Sequence, residues 1–422
     1  MQINIKQENT EKKALKHNTI ALMIIQILNY VLPFITLPYV ARIFRVEDYG
    51  VILFAQLLTD YFLRLVMFGF DFSAVRQIAI HSNNKKVINQ IFNSVLSVQI
   101  IFLIFGFLLL NVFIFCIPKI TQYWLIYYFT YLSLVGAVFT FNWFYQGIAR
   151  MKFITILNII TRTISLILIF NCIKKSDDYI WYPLINSLAM LSAGFISIFF
   201  VKKYFNIEFY IPKIKSILGT LKYSSQFFLT KVCIALYRST NAFVLGFVVT
   251  SSAVAYYVAA DRIFWAVFSL YYTFVSALFP YMSKNKDIIF FKKMLKYLII
   301  LSIGASAFLL IASKYLILIF YSSKYLVSIK ILQIFSISFA FYIFVDTLGF
   351  PLLGTFGYVK ETNQGYIWGG IYNVLGLIIL YLVNHFTIYS VAVLVSSTYL
   401  IMFLHRLYYV LKYKLLIKEE LY

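Results

Sequence analysis

The chain has 422 residues, of which 62% are hydrophobic and only 12% charged, and it carries a formal net charge of +22. A water-soluble domain holds about twice that charged fraction, so a soluble globular fold is excluded. Several apolar runs exceed the roughly 18 residues needed to cross a hydrocarbon core. Most Lys and Arg fall in short loops between those runs, which marks them as membrane-topology signals and excludes a nucleic-acid surface.

In chain order, residues 1–17 form a polar, basic cytoplasmic leader. The apolar stretch behind it is too long for a cleaved signal peptide. Hydropathy and turn signals then predict six helices over 18–44, 48–70, 89–117, 120–147, 152–173 and 178–201, an N-terminal six-helix bundle spanning 18–201. The connector 202–217, containing "KKYFNIEFYIPKIKS", is polar and reads as a cytoplasmic linker. Six more helices are predicted over 218–249, 252–282, 293–320, 326–352, 364–384 and 386–411, a C-terminal bundle over 218–411 followed by a cytoplasmic tail, 412–422. The expected fold is an all-α membrane protein of about 12 transmembrane helices in two six-helix bundles. With the N terminus inside, the inner segments collect 24 of the 37 basic residues and the outer loops 7, which places both termini in the cytoplasm.

The loops leave no room for a soluble catalytic or nucleotide-binding module, and no GxxxxGK[ST] phosphate loop is present. The expectation is a carrier and not an enzyme, with no catalytic residues and no cofactor. Cys116, Cys172 and Cys233 have no paired spacing, and His17, His81, His385 and His405 are scattered, so neither disulfides nor a metal site is expected. The stretches "FRVEDYGVILFAQLLTDYFLRL" and "FVVTSSAVAYYVAADRIFWAVF" open corresponding helices of the two halves and are weakly alike, as in a parallel repeat.

Six basic residues remain inside the predicted spans: Arg64, Arg162, Lys231, Arg238, Arg262 and Lys330. At ~1.5 Å per residue, Arg64, Arg162, Lys231 and Arg262 lie about 15 to 24 Å deep, near the midplane. Each costs roughly 2.5–3.5 kcal/mol on insertion scales. Asp60, Asp261 and Asp346 are the acids at comparable depth, fewer than the bases, so a wet cationic cavity facing an anion would relieve the excess. Asp60 and Arg64, at i and i+4, form either a structural pair or part of that cavity. Asp261 and Arg262 point to different sides of their helix; Arg262 and Arg162 are expected to face the cavity. Lys231 and Arg238 lie seven apart, as a solvated stripe would. Lys330 snorkels to the headgroups. Asp346 is the best candidate for a titrating or cation-binding carboxylate. Trp143, Tyr145 and Gln146 of "FNWFYQG" form either a sugar-stacking platform or, with better odds, an interfacial belt. Pro33, Pro38, Pro280 and Pro351 mark either working bends or tolerated kinks.

The blocks "LPYVARIFRVEDYG", "FGFDFSAVRQIA", "AFVLGFVVTSSAVAYYVAADRI" and "LFPYMSK" resemble the Wzx-type oligosaccharide flippases, the polysaccharide-transporter branch of the multidrug/oligosaccharidyl-lipid/polysaccharide superfamily. The resemblance implies two bundles in a V around a central cavity and alternating access. It implies transfer of undecaprenyl-pyrophosphate-linked oligosaccharide repeat units, O-antigen or a similar surface polysaccharide, from the cytoplasmic to the periplasmic leaflet of a bacterial inner membrane. Arg42, Arg64 and Arg262 sit broadly where the related lipid II flippases use arginines. A coupling ion (H+ or Na+), membrane lipids, and association with a polysaccharide polymerase and a chain-length regulator are further implications. The alternatives are a cation-coupled multidrug exporter of the same superfamily and a polysaccharide polymerase or ligase.

Overall fold

In the computed structural model the described residues are 35–416 except residue 239, the side chains of 229, 230, 233–238, 273 and 277 being left aside. Among the described residues the chain is helical between short turns, with no strand. Ten helices are long and apolar enough to cross a membrane. The expected first helix is described only over 35–43 (α1), so its start lies outside the described residues. The expected seventh helix appears as two, Ile214–Arg238 and Thr240–Val248, neither of them among the ten.

The chain forms two compact units that divide inside one helix, between Val232 and Cys233. The first contains α2 (Val46–Met67), α3 (Phe70–Ile80), α4 (Lys85–Cys116), a short α5 (Pro118–Thr121), α6 (Trp124–Phe139), α7 (Asn142–Gly147), α8 (Met151–Cys172), α9 (Trp181–Phe205) and the larger part of α10 (Ile214–Arg238). Glycines set its closest contacts. A Cβ on Gly136 of α6 would lie 2.5 Å from the Met190 carbonyl carbon of α9, and one on Gly194 would lie 3.1 Å from the Gly136 oxygen. Backbone thus meets backbone, as between small residues in membrane bundles.

The lysine-bearing ends of this unit close over an aromatic knot. Phe92 packs on Phe141, Phe144 and Phe209 at ring-centroid separations of 4.8, 5.2 and 5.6 Å. Trp143 is 2% exposed and Tyr145 fully buried. The Trp143 Nε1 donates to Gln99 at 3.3 Å, and the Tyr145 hydroxyl bonds Ser197 at 3.0 Å. Both expectations for these rings are therefore corrected: they are neither a platform for sugars nor a lipid-facing belt. The chain turns sharply at Phe141, in the left-handed region at φ 49°, and tucks α7 inward against the core. Residues 206–213 run without helix, fastened by Asn93, which donates to the Glu208 carbonyl at 2.8 Å and accepts from the Tyr210 N–H at 3.0 Å.

The second unit holds the end of α10, α11 (Thr240–Val248), α12 (Ser251–Asn285), α13 (Ile288–Phe320), α14 (Val327–Leu348), α15 (Val359–Leu382) and α16 (Ile388–Lys412). Its core is also aromatic: Phe264 meets Phe335 and Phe339, and Tyr342 stacks close to Tyr399 at 4.2 Å. Pro351 lies in a π-helical turn, Gly349–Gly354, that ends α14, while Pro280 lies inside α12. At ~1.5 Å per residue α12 and α13 reach about 50 Å, longer than a hydrocarbon core, and their adjoining ends carry Lys284, Lys286, Lys292, Lys293 and Lys296 beyond it.

Replacing Gly136 by Ala forces α6 and α9 apart; a loss of about 1–3 kcal/mol is expected, read as a lower melting temperature of the detergent-purified protein.

Candidate functional site at a broken membrane helix

A charged cavity in the first unit starts from a defect in the backbone. The span Val46–Ile80 is one 35-residue crossing by length, yet it is two helices. Phe68 and Gly69 take left-handed conformations, φ 39° and 76°, and end α2 before α3 begins. Phe68 is held in that costly conformation by ring packing, stacked on Phe228 at 4.5 Å and tilted against Phe102 at 5.1 Å. Gly69 has a second reason to be glycine. A Cβ there would sit 2.9 Å from the Phe227 Cβ and the Phe228 N, so α10 crosses directly against the break.

Breaks of this kind leave helix ends inside the membrane, where the N-terminal end is partially positive and the C-terminal end partially negative. Arg64 lies in the last turn of α2, and its carbonyl accepts the Phe68 N–H at 3.1 Å. Asp71 lies in the first turn of α3, where no side chain caps the helix. Each charge therefore complements the helix end it occupies.

Around the break is a cavity of about 310 Å³ lined by Asp60, Leu63, Arg64, Met67, Gly69, Asp71 and Lys231. Lys231 arrives from α10 and forms an ion pair with Asp71, the side chains 31% and 41% exposed. Its Nζ also stands 4.6 Å from the centre of the Phe72 ring, a cation–π contact. Two further bonds tie α3 to α10: Ser73 to Ser224 at 2.8 Å and Arg76 to the Tyr223 hydroxyl at 2.9 Å. Asp71, Ser73 and Arg76 thus meet Lys231, Ser224 and Tyr223 in reverse order, which fixes the two helices antiparallel.

The cavity brings together three residues expected from sequence, Asp60, Arg64 and Lys231, and adds a fourth charge, Asp71, which lies just past the span expected over 48–70. Of the stripe expected for Lys231 and Arg238, Lys231 lines the cavity and is paired with Asp71; the Arg238 side chain lies outside the described residues. In this cavity two carboxylates, Asp60 and Asp71, stand with two cations, Arg64 and Lys231. Arg42 is exposed at the end of α1, and Arg162 is half-buried on α8. Lys330 is exposed, with its Nζ 5.2 Å above the Tyr389 ring, near the starts of α14 and α16.

In the second unit Asp261 and Arg262 are half-buried on α12, and the Trp265 Nε1 donates to Asp261 at 3.1 Å. Asp346 on α14 accepts from the Tyr366 hydroxyl of α15 at 3.2 Å. The same ring lies 4.2 Å from the guanidinium carbon of Arg406 on α16. Arg406 is one of the 24 basic residues counted for the inner segments, and it is fully buried. Its Nη2 donates to the Thr362 carbonyl at 3.3 Å, while Nε and Nη1 have no hydrogen-bond acceptor. A Cβ on Gly349 would collide with Nη1, and one on Gly365 would lie 3.4 Å from Nε, so two glycines make the slot that the guanidinium fills. Among the described residues no group of His, Cys, Asp and Glu is arranged to hold a metal ion.

Residues 15–286 match the family described as "Polysaccharide biosynthesis protein". The chain is 27% identical over 378 residues to a protein of Escherichia coli K12 named "Putative O-antigen transporter", covering 87% of this chain and 90% of that one. A Shigella dysenteriae protein of the same name is 28% identical over 324 residues, with 76% and 81% covered. Among solved structures, the chain is similar to an inward-facing multidrug resistance MATE family transporter of the MOP superfamily, with TM-score 0.69, 13% identity, and 96% and 100% covered. It is equally similar to the lipid II flippase MurJ in an inward closed conformation, with TM-score 0.68, 17% identity, and 93% and 87% covered. At those identities the likeness speaks for the fold, and it bears out the expected all-helical architecture of that superfamily.

Gly69→Ala adds a strained φ to a contact with α10 and is expected to cost about 1–3 kcal/mol in a thermal or denaturant melt. Gly219→Ala, in the same α10 and with nothing within 4 Å of the added carbon, is the matched control and should be neutral or stabilising.

Proposed function

The chain belongs to the polysaccharide biosynthesis protein family, and from that premise we propose that it is a flippase for lipid-linked oligosaccharides. The observation that carries the reading is the charged cavity at the α2–α3 break, inside a segment long enough to cross the membrane. The cargo is a polyprenyl-pyrophosphate-linked repeat unit of a surface polysaccharide, such as O-antigen, moved from the cytoplasmic to the periplasmic leaflet of a bacterial inner membrane, with both chain termini cytoplasmic. The names of the two bacterial relatives support this class of cargo.

A diphosphate presents about two negative charges and several acceptor oxygens. The planar fork of Arg64 suits two of those oxygens at once, and the Lys231 ammonium supplies a movable point charge beside it. The positive end of α3 adds N–H groups to the same spot. At about 310 Å³ the cavity stands at the small end of ligand pockets, the size for a charged head and not for several sugars. The tail stays in lipid while the head group crosses, by alternating exposure of the cavity to the two sides. Arg42, Arg162, Arg238 and Arg262 are further phosphate contacts in this proposal, and Asp261 and Asp346 carry a coupling H+ or Na+. A polysaccharide polymerase and a chain-length regulator are the protein partners it implies.

A second reading, a cation-coupled multidrug exporter, has an observation in its favour. Asp60 and Asp71 face the cavity, so cationic cargo is not repelled from it, and the MATE fold is as near as that of MurJ. The two readings part in cells. With Arg64→Ala or Lys231→Ala in the native host, surface polysaccharide should fall by about tenfold or more, the worth of one charged hydrogen bond. The amount of protein in the membrane should stay unchanged, and Lys330→Ala should behave as wild type. Normal polysaccharide from both cavity variants, together with a new sensitivity to cationic dyes, would replace the flippase reading with the exporter.

A further inference from the structure

Two features of the cavity conflict if it is only an anion site. Capture calls for free cations, yet Lys231 is already occupied by Asp71. Transport adds the opposite demand, because a site that holds a diphosphate tightly cannot hand it on. Both are met if the occupancy is exchangeable.

We propose that Asp71 is a displaceable counter-ion, a carboxylate that neutralises Lys231 while the cavity is empty, yields the ammonium to an arriving diphosphate, and competes for it again to drive release. This inference rests on the flippase reading above. The pair is built to be broken: its side chains are 31% and 41% exposed, and ion pairs with that access to water are weak. A diphosphate, with more charge and more oxygens than one carboxylate, wins the ammonium locally.

The displaced carboxylate has somewhere to go. Asp71 stands in the first turn of an 11-residue helix whose N-cap is Gly69, with no side chain bonded to the helix end. The partial positive charge of that helix end attracts the carboxylate once Lys231 leaves. Its position does not drift, because Gly69 is pinned against Phe227 and Phe228 and Ser73 is bonded to Ser224. Lys231 has a second support of its own. The Phe72 ring at 4.6 Å steadies the ammonium from the side while its carboxylate partner is exchanged. The four charges Asp60, Arg64, Asp71 and Lys231 make an empty cavity that is neutral overall, and a loaded one in which the acids push against the cargo.

The test uses the full chain in lipid nanodiscs and compares binding of undecaprenyl pyrophosphate and of inorganic pyrophosphate by wild type, Asp71→Asn, Lys231→Met and the double variant. The expected result is about fivefold tighter binding of both probes by Asp71→Asn, the worth of a freed surface ion pair. Transport by Asp71→Asn in liposomes should be slower, Lys231→Met should bind more weakly than wild type, and the double variant should bind no tighter than Lys231→Met. Asp71→Ser, which is smaller, serves in the same way where Asp71→Asn does not accumulate. If Lys231→Met binds weakly but neither Asp71 variant binds tighter, the counter-ion role is wrong and the flippase reading stands. A gain for the lipid but not for inorganic pyrophosphate also overturns the role, since the effect then lies with the tail. If wild type binds neither probe, the reading beneath falls with it.

Discussion

A charge set in hydrocarbon costs about 2.5–3.5 kcal/mol on insertion scales, and in the first unit the ion pair of Lys231 and Asp71 offsets part of that cost. The pair needs α2 to stop early, so that Asp71 falls on a new helix start. It needs α10 to pass against the break, which only a glycine at position 69 permits. It needs the polar bonds of Ser224 and Tyr223 to hold α10 in register. The cavity with Asp60 and Arg64 is what remains between helices arranged to satisfy that one electrostatic requirement.

The second unit solves the same problem in another way. Among the described residues Arg406 forms no salt bridge. It is fully enclosed by the Tyr366 ring, the Thr362 carbonyl and two glycines. Aromatic faces and backbone oxygens stand in for a carboxylate, and Tyr366 passes the link on to Asp346. The first unit leaves its charges reachable from a cavity, whereas the second locks one away. That contrast is why the functional reading falls on α2, α3 and α10.

Much of the architecture was legible because hydropathy responds to length and apolarity. Ten of the expected spans reappear, nine with ends shifted by at most five residues, as with 152–173 against Met151–Cys172, and one, 48–70, running on to Ile80. What escaped was local geometry inside apolar runs. The breaks at Phe68–Gly69 and Phe141 come from ring packing and left-handed backbone, to which an average over a window is blind. The only local signal was a glycine between two phenylalanines, followed by an acid, in "FGFDF". Asp71 was missed because the span seemed to end at residue 70, though α3 continues to Ile80. Arg406 was missed because a basic residue near a helix end is ordinarily a topology signal. Arg64, Asp60 and Lys231 were found because a charge in a greasy segment is costly, a cost that depends on composition alone.

The ion pair joins residues 160 positions apart in sequence. Five of the ten spans found among the described residues precede Lys231 in the chain, so they are synthesised before the counter-charge of Asp71 exists. The first half of the protein is therefore not an autonomous product of the first half of synthesis. Its closing piece is α10, the last helix of the first unit in chain order, and a chain halted before that helix lacks the partner of Asp71.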